Sequence, residues 1–211
     1  MEIDYGNKIL NAAIELFKSR GIVSVTMDDI SKTLAISKKT LYQYFRDKDD
    51  IVTVTTNFLI EIDKSEFFSI RNNSVNAIDE LFQVSHCIRD KIGNMNPGLL
   101  FDLQKYHHEA WKLYVSYKED VMLDFVAESI KQGIIEGYFR KELDPDIIAR
   151  WRLEQVQMAF DNHIFPKDKF DFKDVQLHLF DHFVQGIITD KGRKLLNKYL
   201  SNSVQKVKIT T

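Results

Sequence analysis

Apolar residues recur along most of the chain at intervals of three and four, which is the spacing of one face of an α-helix. The first stripe of this kind consists of Ile9, Leu10, Ala13, Ile14 and Phe17. It predicts a helix over residues 5–20, and Gly21 follows where a helix end favours a left-handed residue. Alternation typical of β-strands is sparse, and the chain has only 3 Pro and 8 Gly. The pattern therefore predicts an all-α fold.

Two short helices with a tight connection are predicted in the next stretch, TMDDISKTLAISKKTLYQYFRDK, which covers residues 26–48. Thr26 and Asp29 form a capping pair, because the hydroxyl accepts from the third backbone N–H and a carboxylate suits the positive end of the helix. After a connection over 35–37, Ser37 is placed to cap a second helix. This arrangement is typical of a helix-turn-helix, whose second helix enters the major groove of DNA.

The outer side of the second helix carries the predicted DNA contacts, while Leu41 and Phe45 anchor it to a three-helix core. The residues predicted to approach base edges are Lys38, Lys39, Thr40 and Gln43. Those predicted to hold phosphates are Thr26, Ser37, Tyr42, Tyr44 and Lys48. Tyrosine hydroxyls can reach phosphate oxygens, and a lysine beside a helix N-terminus suits a phosphate. The alternative is a corner between two helices with solvated lysines.

The order of residues in this stretch is distinctive. The sequence reads Asp29-Ile30, Ile36-Ser37-Lys38, Thr40-Leu41-Tyr42, Tyr44-Phe45 and then Lys48. It resembles the signature of the TetR/AcrR family of bacterial transcriptional regulators, which implies a DNA-binding head and a ligand-binding, dimer-forming body. The chain departs from the family pattern at Leu34, where Ala is common, and at Ala35 and Lys39, where Gly is common. Ala35 implies either a turn without a positive φ or a tolerated strain.

Helical stripes continue through the rest of the chain. Further helices are predicted over residues 48–62, 74–92, 99–106, 106–137, 144–162, 171–188 and 191–200. Asp144 followed by Pro145 is a typical helix start, with the aspartate as N-cap and the proline in the first turn. We expect a DNA-binding domain over 1–48, a helical ligand-binding and dimerisation domain over 49–200, and a polar tail over 201–211.

The middle helices are rich in large aromatic residues with scattered polar groups, which suits a cavity for a small apolar or amphipathic molecule. The residues expected to line it are Phe58, Phe82, His86, Phe101, Tyr106, His107, Trp111 and Tyr114. Aromatic stripes at helical spacing are also typical of an ordinary core, and that alternative stays open.

The helix predicted over 171–188 is apolar around most of its circumference, so it needs partners on two sides. We expect it to form an intermolecular four-helix bundle with the helix before it, as the resemblance also implies. The predicted interface consists of Ile148, Trp151, Gln155, Ala159, Leu177, Phe180, Val184 and Ile188. A two-fold dimer requires a roughly palindromic operator. The alternative is that these helices complete the core of one chain.

Composition is ordinary for a soluble globular protein, with 44% hydrophobic and 28% charged residues and a net charge of −2. Residues 1–48 nevertheless carry 8 Lys and Arg against 6 Asp and Glu, which suits a local DNA-binding surface. A single cysteine, Cys87, excludes an intrachain disulfide and a cysteine-based zinc site. Without a signal segment or an apolar run of membrane-spanning length, we expect a cytoplasmic protein with no membrane partner.

Catalytic motifs are lacking, because the chain has no glycine-rich phosphate loop and no GxSxG motif. His178 and His182 have metal-ligand spacing, but we interpret them as polar groups beside the dimer surface. We therefore expect no enzyme activity, no metal and no cofactor. The predicted function is a dimeric transcriptional regulator, a repressor released from its double-stranded DNA operator by a small ligand. The alternatives are a small-molecule sensor or interaction module without specific DNA binding, and a helical enzyme; activation instead of repression stays open.

Overall fold

The computed structural model describes residues 5–92 and 95–209, with side chains up to Asn202. Its helices are α1 (Tyr5–Arg20), α2 (Met27–Thr33), α3 (Lys38–Tyr44), α4 (Lys48–Asn73), α5 (Ala77–Ile92), α6 (Leu99–Tyr106), α7 (His108–Tyr117), α8 (Leu123–Ile135), α9 (Pro145–Met158), α10 (Phe172–Ile187) and α11 (Asp190–Ile209). One π-helical turn, Lys118–Met122, joins α7 to α8. The described residues contain no β-strand, only an isolated bridge between Phe139 and Ile188. The all-α prediction is confirmed.

The first of two apolar cores lies in the N-terminal head. Its fully buried members are Ile9, Ala13, Val25, Ile30, Leu41 and Ile51. Leu100 and Leu103 of α6 and Ala110 of α7 join the same core. A three-helix head of this size is marginal by itself, so these residues supply apolar contacts that the head helices alone lack.

The second core lies in the body, between α5, α8, α9 and α10. Its most buried members include Ile78, Ile130, Ala149, Phe183, Val184 and Ile187. Helix α10 packs against both α5 and α9 of the same chain. Most of its apolar circumference is therefore covered within one molecule.

Helix α4 connects the two cores. It has 26 residues and begins at the N-cap Asp47, whose side chain accepts from the backbone N–H of Asp50. At 1.5 Å per residue its length is about 39 Å. At its other end Arg71 donates to the Ser129 hydroxyl at 2.8 Å and lies 3.3 Å from Glu80, which attaches the helix to the body.

Several predicted helix bounds differ from the structure. Helix α5 begins at Ala77 and not at Ser74, because the Ser74 hydroxyl donates to the Ile70 carbonyl and caps the end of α4. The side chain of Asn76 accepts from the amides of Ile78 and Asp79 and caps the next helix. Helix α11 runs over Asp190–Ile209 instead of 191–200, so it includes most of the expected polar tail. No helix in the described part of the chain has the length and apolar character to cross a membrane.

Candidate nucleic-acid interface

Helix α2 begins with the predicted capping pair, which is confirmed. The backbone N–H of Asp29 donates to Thr26 Oγ1 at 3.1 Å, and the N–H of Thr26 donates to Asp29 Oδ2 at 2.8 Å. Hydrogen bonds from the Thr26 side chain and backbone lower the pKa of the Asp29 carboxyl. The Thr26 hydroxyl is therefore held in the cap and keeps the start of α2 in place.

The turn between α2 and α3 requires a left-handed residue. Ala35 has a φ of 52°, and the amide of Ile36 donates to the Ser31 carbonyl at 3.0 Å across the turn. Only glycine adopts this region freely, because Cβ crowds the following carbonyl in other residues. Of the two possibilities for Ala35, tolerated strain is the one present. Gly21 at the end of α1 also has a positive φ, of 81°, as predicted.

Helix α3 is fixed by one cap and two apolar anchors. Ser37 Oγ accepts from the backbone N–H of Thr40 at 3.0 Å, and the two hydroxyls lie 2.9 Å apart. Leu41 and Phe45 are buried in the head core, which confirms their predicted role as anchors. This attachment turns the opposite side of α3 outward, with Gln43 on it.

The exposed side of α3 combines two tyrosines with Gln43 and two lysines. Tyr42 and Tyr44 are about half exposed, and the Tyr44 ring lies 6.4 Å from the ring of Tyr5 at the start of α1. Lys39 is exposed and forms no ion pair within the described residues. The surface thus offers hydrogen-bond donors and aromatic faces together, as DNA-contacting surfaces do.

Lys38 is paired with an acid of its own head. Its Nζ lies 3.0 Å from Asp28 Oδ1, and Lys32 lies 2.9 Å from the other oxygen of Asp28. Hydrogen bonds from Lys32 and then Lys38 lower the pKa of the Asp28 carboxyl. Lys32 and Lys38 therefore share one carboxylate of the same head.

Lys48, at the first position of α4, lies against the connection between α1 and α2. Its Nζ donates to the Val23 carbonyl at 3.3 Å. Burial lowers the pKa of this lysine, and the nearby Asp102 opposes the shift. Its side chain is half-buried, in contrast to the exposed side chains of α3.

Helices α6 and α7 contact the head directly. Asp102 accepts from the Val23 amide at 3.0 Å, and the Asn96 amide donates to the Lys18 carbonyl at 2.7 Å. His107, between α6 and α7, has its Nδ1 2.6 Å from Asp49 Oδ1 in the first turn of α4. The sequence offered no signal for these contacts, because up to 79 residues separate the partners.

Residues 9–54 match the sequence model described as bacterial regulatory proteins of the tetR family. Residues 9–54 therefore carry the DNA-binding head of the TetR family. It is 28% identical over 188 residues to the HTH-type transcriptional regulator YvaF of Bacillus subtilis, covering 87% of this chain and 96% of that protein. It is 23% identical over 151 residues to the HTH-type transcriptional repressor KstR2 of Mycobacterium tuberculosis, covering 68% and 74% of the two chains.

Solved structures of transcriptional regulators share the fold of the chain. The structure of the ketosteroid transcriptional regulator KstR2 aligns with a TM-score of 0.62 at 18% identity, covering 90% of this chain and 98% of that chain. A transcriptional regulator of Saccharomonospora viridis in complex with choline aligns with a TM-score of 0.69 at 19% identity, covering 88% and 98%. The chain is a DNA-binding transcriptional regulator, a class that is not enzymatic.

In the body, the eight residues expected to line one cavity do not meet. Phe58, Phe82 and His86 line an open groove with Tyr199 of α11, whose ring stacks on Phe82 at 5.5 Å. The other five lie on α6, on α7 or between these two helices: Phe101, Tyr106, His107, Trp111 and Tyr114. The reason is that α6 and α7 pack against the head and α4. The expectation of one cavity lined by all eight is corrected accordingly.

A cavity of about 110 Å³ lies elsewhere in the body, between α4, α5, α8, α9 and α10. Its walls are mostly apolar, and they include the side chains of Tyr117 and Arg152. Sequence analysis missed both residues, because a tyrosine or an arginine on a helix is usually partly exposed. Only the packing of five helices buries them.

The predicted dimer residues divide into two groups. Five are buried inside the chain itself and offer no free surface: Gln155, Ala159, Phe180, Val184 and Ile188. Ile148, Trp151 and Leu177 remain partly or largely accessible. The correction follows from the packing of α10 against α5 and α9, which covers the side of α10 that sequence periodicity could not assign to a partner.

Proposed function

We propose that this TetR-family regulator is a homodimeric cytoplasmic repressor, which a small molecule releases from a palindromic operator. The observation that carries the proposal is the exposed side of α3, fixed by the Ser37 cap and the buried Leu41 and Phe45. A packing element has no need of two exposed tyrosines and two exposed lysines on one short helix. The repressor named among its relatives supports the sign of regulation.

Each side chain of the interface has a proposed role. Base edges are approached by Lys38, Lys39, Thr40 and Gln43, and phosphates are held by Thr26, Ser37, Tyr42, Tyr44 and Lys48. Thr26 and Ser37 act chiefly as helix caps. By fixing the first turns of α2 and α3, they direct the first backbone N–H groups of these helices at the phosphate backbone of DNA. Lys48 reaches a phosphate by leaving its single hydrogen bond to Val23.

The proposed dimer uses the exposed sides of α9 and α10 and the loop between them. Large apolar side chains are accessible there, with Ile147 66% exposed, Trp151 43% and Phe170 46%. Contiguous apolar surface of this kind marks an interaction site. Two-fold symmetry would place the two α3 helices about 34–36 Å apart, one turn of DNA.

The dimer proposal is tested by analytical ultracentrifugation of a Trp151→Glu variant. We expect a shift towards monomer, because a carboxylate would be buried at the interface. Val75→Glu is the matched control, since Val75 is also exposed and apolar but lies in the turn before α5. If both variants dissociate to monomer to the same degree, the proposed interface is wrong.

We assign a DNA-binding domain to residues 1–48 and a ligand-binding and dimerisation domain to residues 49–200. Ligand binding is proposed to act through α4, which joins the two domains. The first turns of α4 are buried in the head, and Arg71 attaches its end to α5 and α8. A shift in the body therefore tilts the head. A coupling free energy of about 1–3 kcal/mol would lower operator affinity about 5- to 150-fold.

The proposal is tested by selection from random duplex DNA, with sequencing of the retained fraction. We expect the wild type to enrich a palindrome that a Lys38→Ala/Gln43→Ala variant loses. Lys198→Ala/Gln104→Ala makes the same chemical change on the body and should keep it. Without enrichment by the wild type at moderate salt, a sensor without specific DNA binding becomes the better assignment.

The enriched operator also separates the roles of individual side chains. Gln43→Ala should relax the preference at one or two base pairs. Lys48→Ala should weaken binding to all sequences and reduce the slope of log affinity against log salt by about one. The same effect of both variants on every sequence would contradict the division between base and phosphate contacts.

A further inference from the structure

Arg152 is a buried cation without a counter-charge. It lies on α9, is 4% exposed, and its guanidinium is 5.2 and 5.4 Å from the ring centres of Phe180 and Phe183. Among the described residues no carboxylate pairs with it, and its Nη1 has no hydrogen-bond partner. Burial lowers the pKa of this guanidinium to about 10, so it stays charged at neutral pH.

Two other cations of the body, the buried Lys118 and the partly buried Arg71, are satisfied. Lys118 donates to Glu154 at 2.6 Å and to Gln157 at 2.8 Å. Arg71 is held by Glu80, by Ser129 and by a backbone carbonyl. An unpaired buried charge is costly, and protein folds leave few of them. Arg152 therefore stands out as a group that lacks its partner.

A second donor without a partner faces the same cavity. Tyr117 is 5% exposed, and its hydroxyl forms no hydrogen bond. Burial raises the pKa of this phenol, so it remains a neutral O–H donor. Tyr117 and Arg152 both line the 110 Å³ cavity. Of the other polar side chains that line it, Glu80 and Ser129 bond to Arg71, and Lys64 bonds to Glu61.

On the basis of the proposed function, we propose that the ligand of this regulator is a carboxylic acid anion with a short apolar chain. Its carboxylate accepts hydrogen bonds from Arg152 Nη1 and from the Tyr117 hydroxyl. One negative charge matches the one unpaired positive charge. A phosphate dianion would bring a second negative charge into a cavity with one unpaired positive charge.

The apolar walls and the size of the cavity limit the rest of the ligand. The wall residues include Phe67, Leu81, Val84, Val121, Phe125 and Ile130. A protein cavity of about 150 Å³ accommodates benzene, so one of 110 Å³ holds a smaller molecule of roughly four or five non-hydrogen atoms before any side chain moves. Lys64 and the half-exposed Phe68 also line the cavity. A ligand with a longer chain must displace these two side chains so that its end can extend towards solvent.

The proposal is tested by calorimetry with three small probes on the full chain. We expect the wild type to bind hexanoate at least ~10-fold more tightly than hexanamide, because the amide lacks the charge that Arg152 matches. Choline, a cation of similar size, should not bind this cavity. Hexanoate should also raise the unfolding temperature of the wild type. Equal affinity of the wild type for hexanoate and hexanamide would overturn the proposal. It would also be overturned if none of the straight-chain acids from butanoate to decanoate bound.

Two variants assign the site. Arg152→Met keeps much of the side-chain volume and should lose hexanoate binding ~10- to 100-fold, with an unfolding temperature equal to or above that of the wild type. Tyr117→Phe should weaken hexanoate binding several-fold and hexanamide binding less, because a neutral carbonyl is a weaker acceptor than a carboxylate. Hexanoate binding unchanged in Arg152→Met overturns the proposal. If that variant fails to fold, the Tyr117→Phe result and the hexanoate-to-hexanamide ratio of the wild type decide.

Operator binding by the same preparations separates this inference from the proposed function. If the wild type retains an operator but binds none of the acids, the inference fails and the regulator stands. If it binds hexanoate through Arg152 but enriches no operator, the carboxylate site stands and the DNA-binding proposal fails. If hexanoate binds but leaves operator affinity unchanged, the site is not the regulatory one and the proposal is overturned.

Discussion

His107 Nδ1 lies 2.6 Å from Asp49 Oδ1, and this contact joins the junction of α6 and α7 to the first turn of α4. His107 is 7% exposed, whereas Asp49 is 70% exposed. The histidine is thus fixed by its surroundings, and the aspartate belongs to the helix that leaves the head. A movement of α6 and α7 is therefore transmitted to α4 at the base of the head.

We expect this contact to contribute a measurable coupling energy to folding. In a double-mutant cycle of His107→Ala and Asp49→Ala, urea unfolding should give an interaction energy of about 1 kcal/mol, because the bond is short and its histidine is buried. Glu109 and Lys112 on α7 form an exposed pair at 2.8 Å and serve as the control cycle. A His107–Asp49 coupling no larger than that of the exposed pair would disprove the assignment.

Asp28 should limit DNA affinity. Because its carboxylate holds Lys32 and Lys38, Asp28→Asn should release Lys32 for a phosphate and Lys38 for a base edge. We expect tighter binding to any duplex, and a slope of log affinity against log salt that is steeper by about one. Titration by fluorescence anisotropy at several salt concentrations measures both quantities.

Asp124→Asn is the control for this experiment, since it makes the same change of charge on exposed Asp124 of α8 in the body. It should have little effect on DNA binding, because charges beyond about 10 Å are screened at 0.1 M salt. Equal effects of the two variants would show that net charge, and not the release of Lys38, is responsible.

Ala35→Gly should stabilise the protein. The left-handed conformation costs a non-glycine residue about 1–2 kcal/mol, and the added freedom of glycine in the unfolded chain offsets about 0.4–1 kcal/mol of the gain. The net increase in the free energy of unfolding should be about 0.5–1 kcal/mol, measured by urea denaturation. Ala12→Gly within α1 is the control and should lower stability by about 1 kcal/mol. A loss of stability in both variants would argue against strain at Ala35.

Cys87 should be an unreactive thiol. It is buried, and burial raises the pKa of this thiol to about 11, against the opposing effect of Lys91. At pH 8 only about one molecule in a thousand then carries the thiolate, which is the reactive form. Reaction with a disulfide reagent should be slow in the native protein and fast in urea. The native rate should rise with pH up to about 11.

The chain has a single cysteine, so the whole signal reports on Cys87. N-acetylcysteine provides the rate of an exposed thiol under the same conditions. A native rate close to that of N-acetylcysteine would mean that the thiol is accessible and ionised. Such a thiol could serve in redox sensing.

The DNA-facing head was largely predictable from the sequence. Thr26, Ser37 and Gly21 act on backbone groups within four residues of themselves, so their effects can be predicted from neighbouring residues in the sequence. The three- and four-residue spacing of Leu41 and Phe45 then determines which side of α3 faces the core. The exposed lysines and tyrosines follow from that choice, because residues on the opposite side of a short helix have nowhere to be buried.

The body was less predictable, because its important contacts join residues far apart in the chain. Periodicity showed that α10 needs partners on two sides, but not that α5 and α9 of the same molecule provide them. An aromatic stripe on α6 and α7 could face a cavity or the head: Trp111 and Tyr114 pack against the head core, whereas Phe101 and Tyr106 are about half exposed. Helical spacing defines a face; it does not define what covers that face.

The sequence by itself determined the helices, their caps and the side of α3 that is free for DNA, since these depend on interactions within one or two helical turns. Only the tertiary structure decided that His107 meets Asp49 across 58 positions and that Arg152 and Tyr117 line one cavity without partners. Burial and the loss of hydrogen-bond partners result from the packing of several helices at once. The residues next to a given position in the chain do not predict that packing.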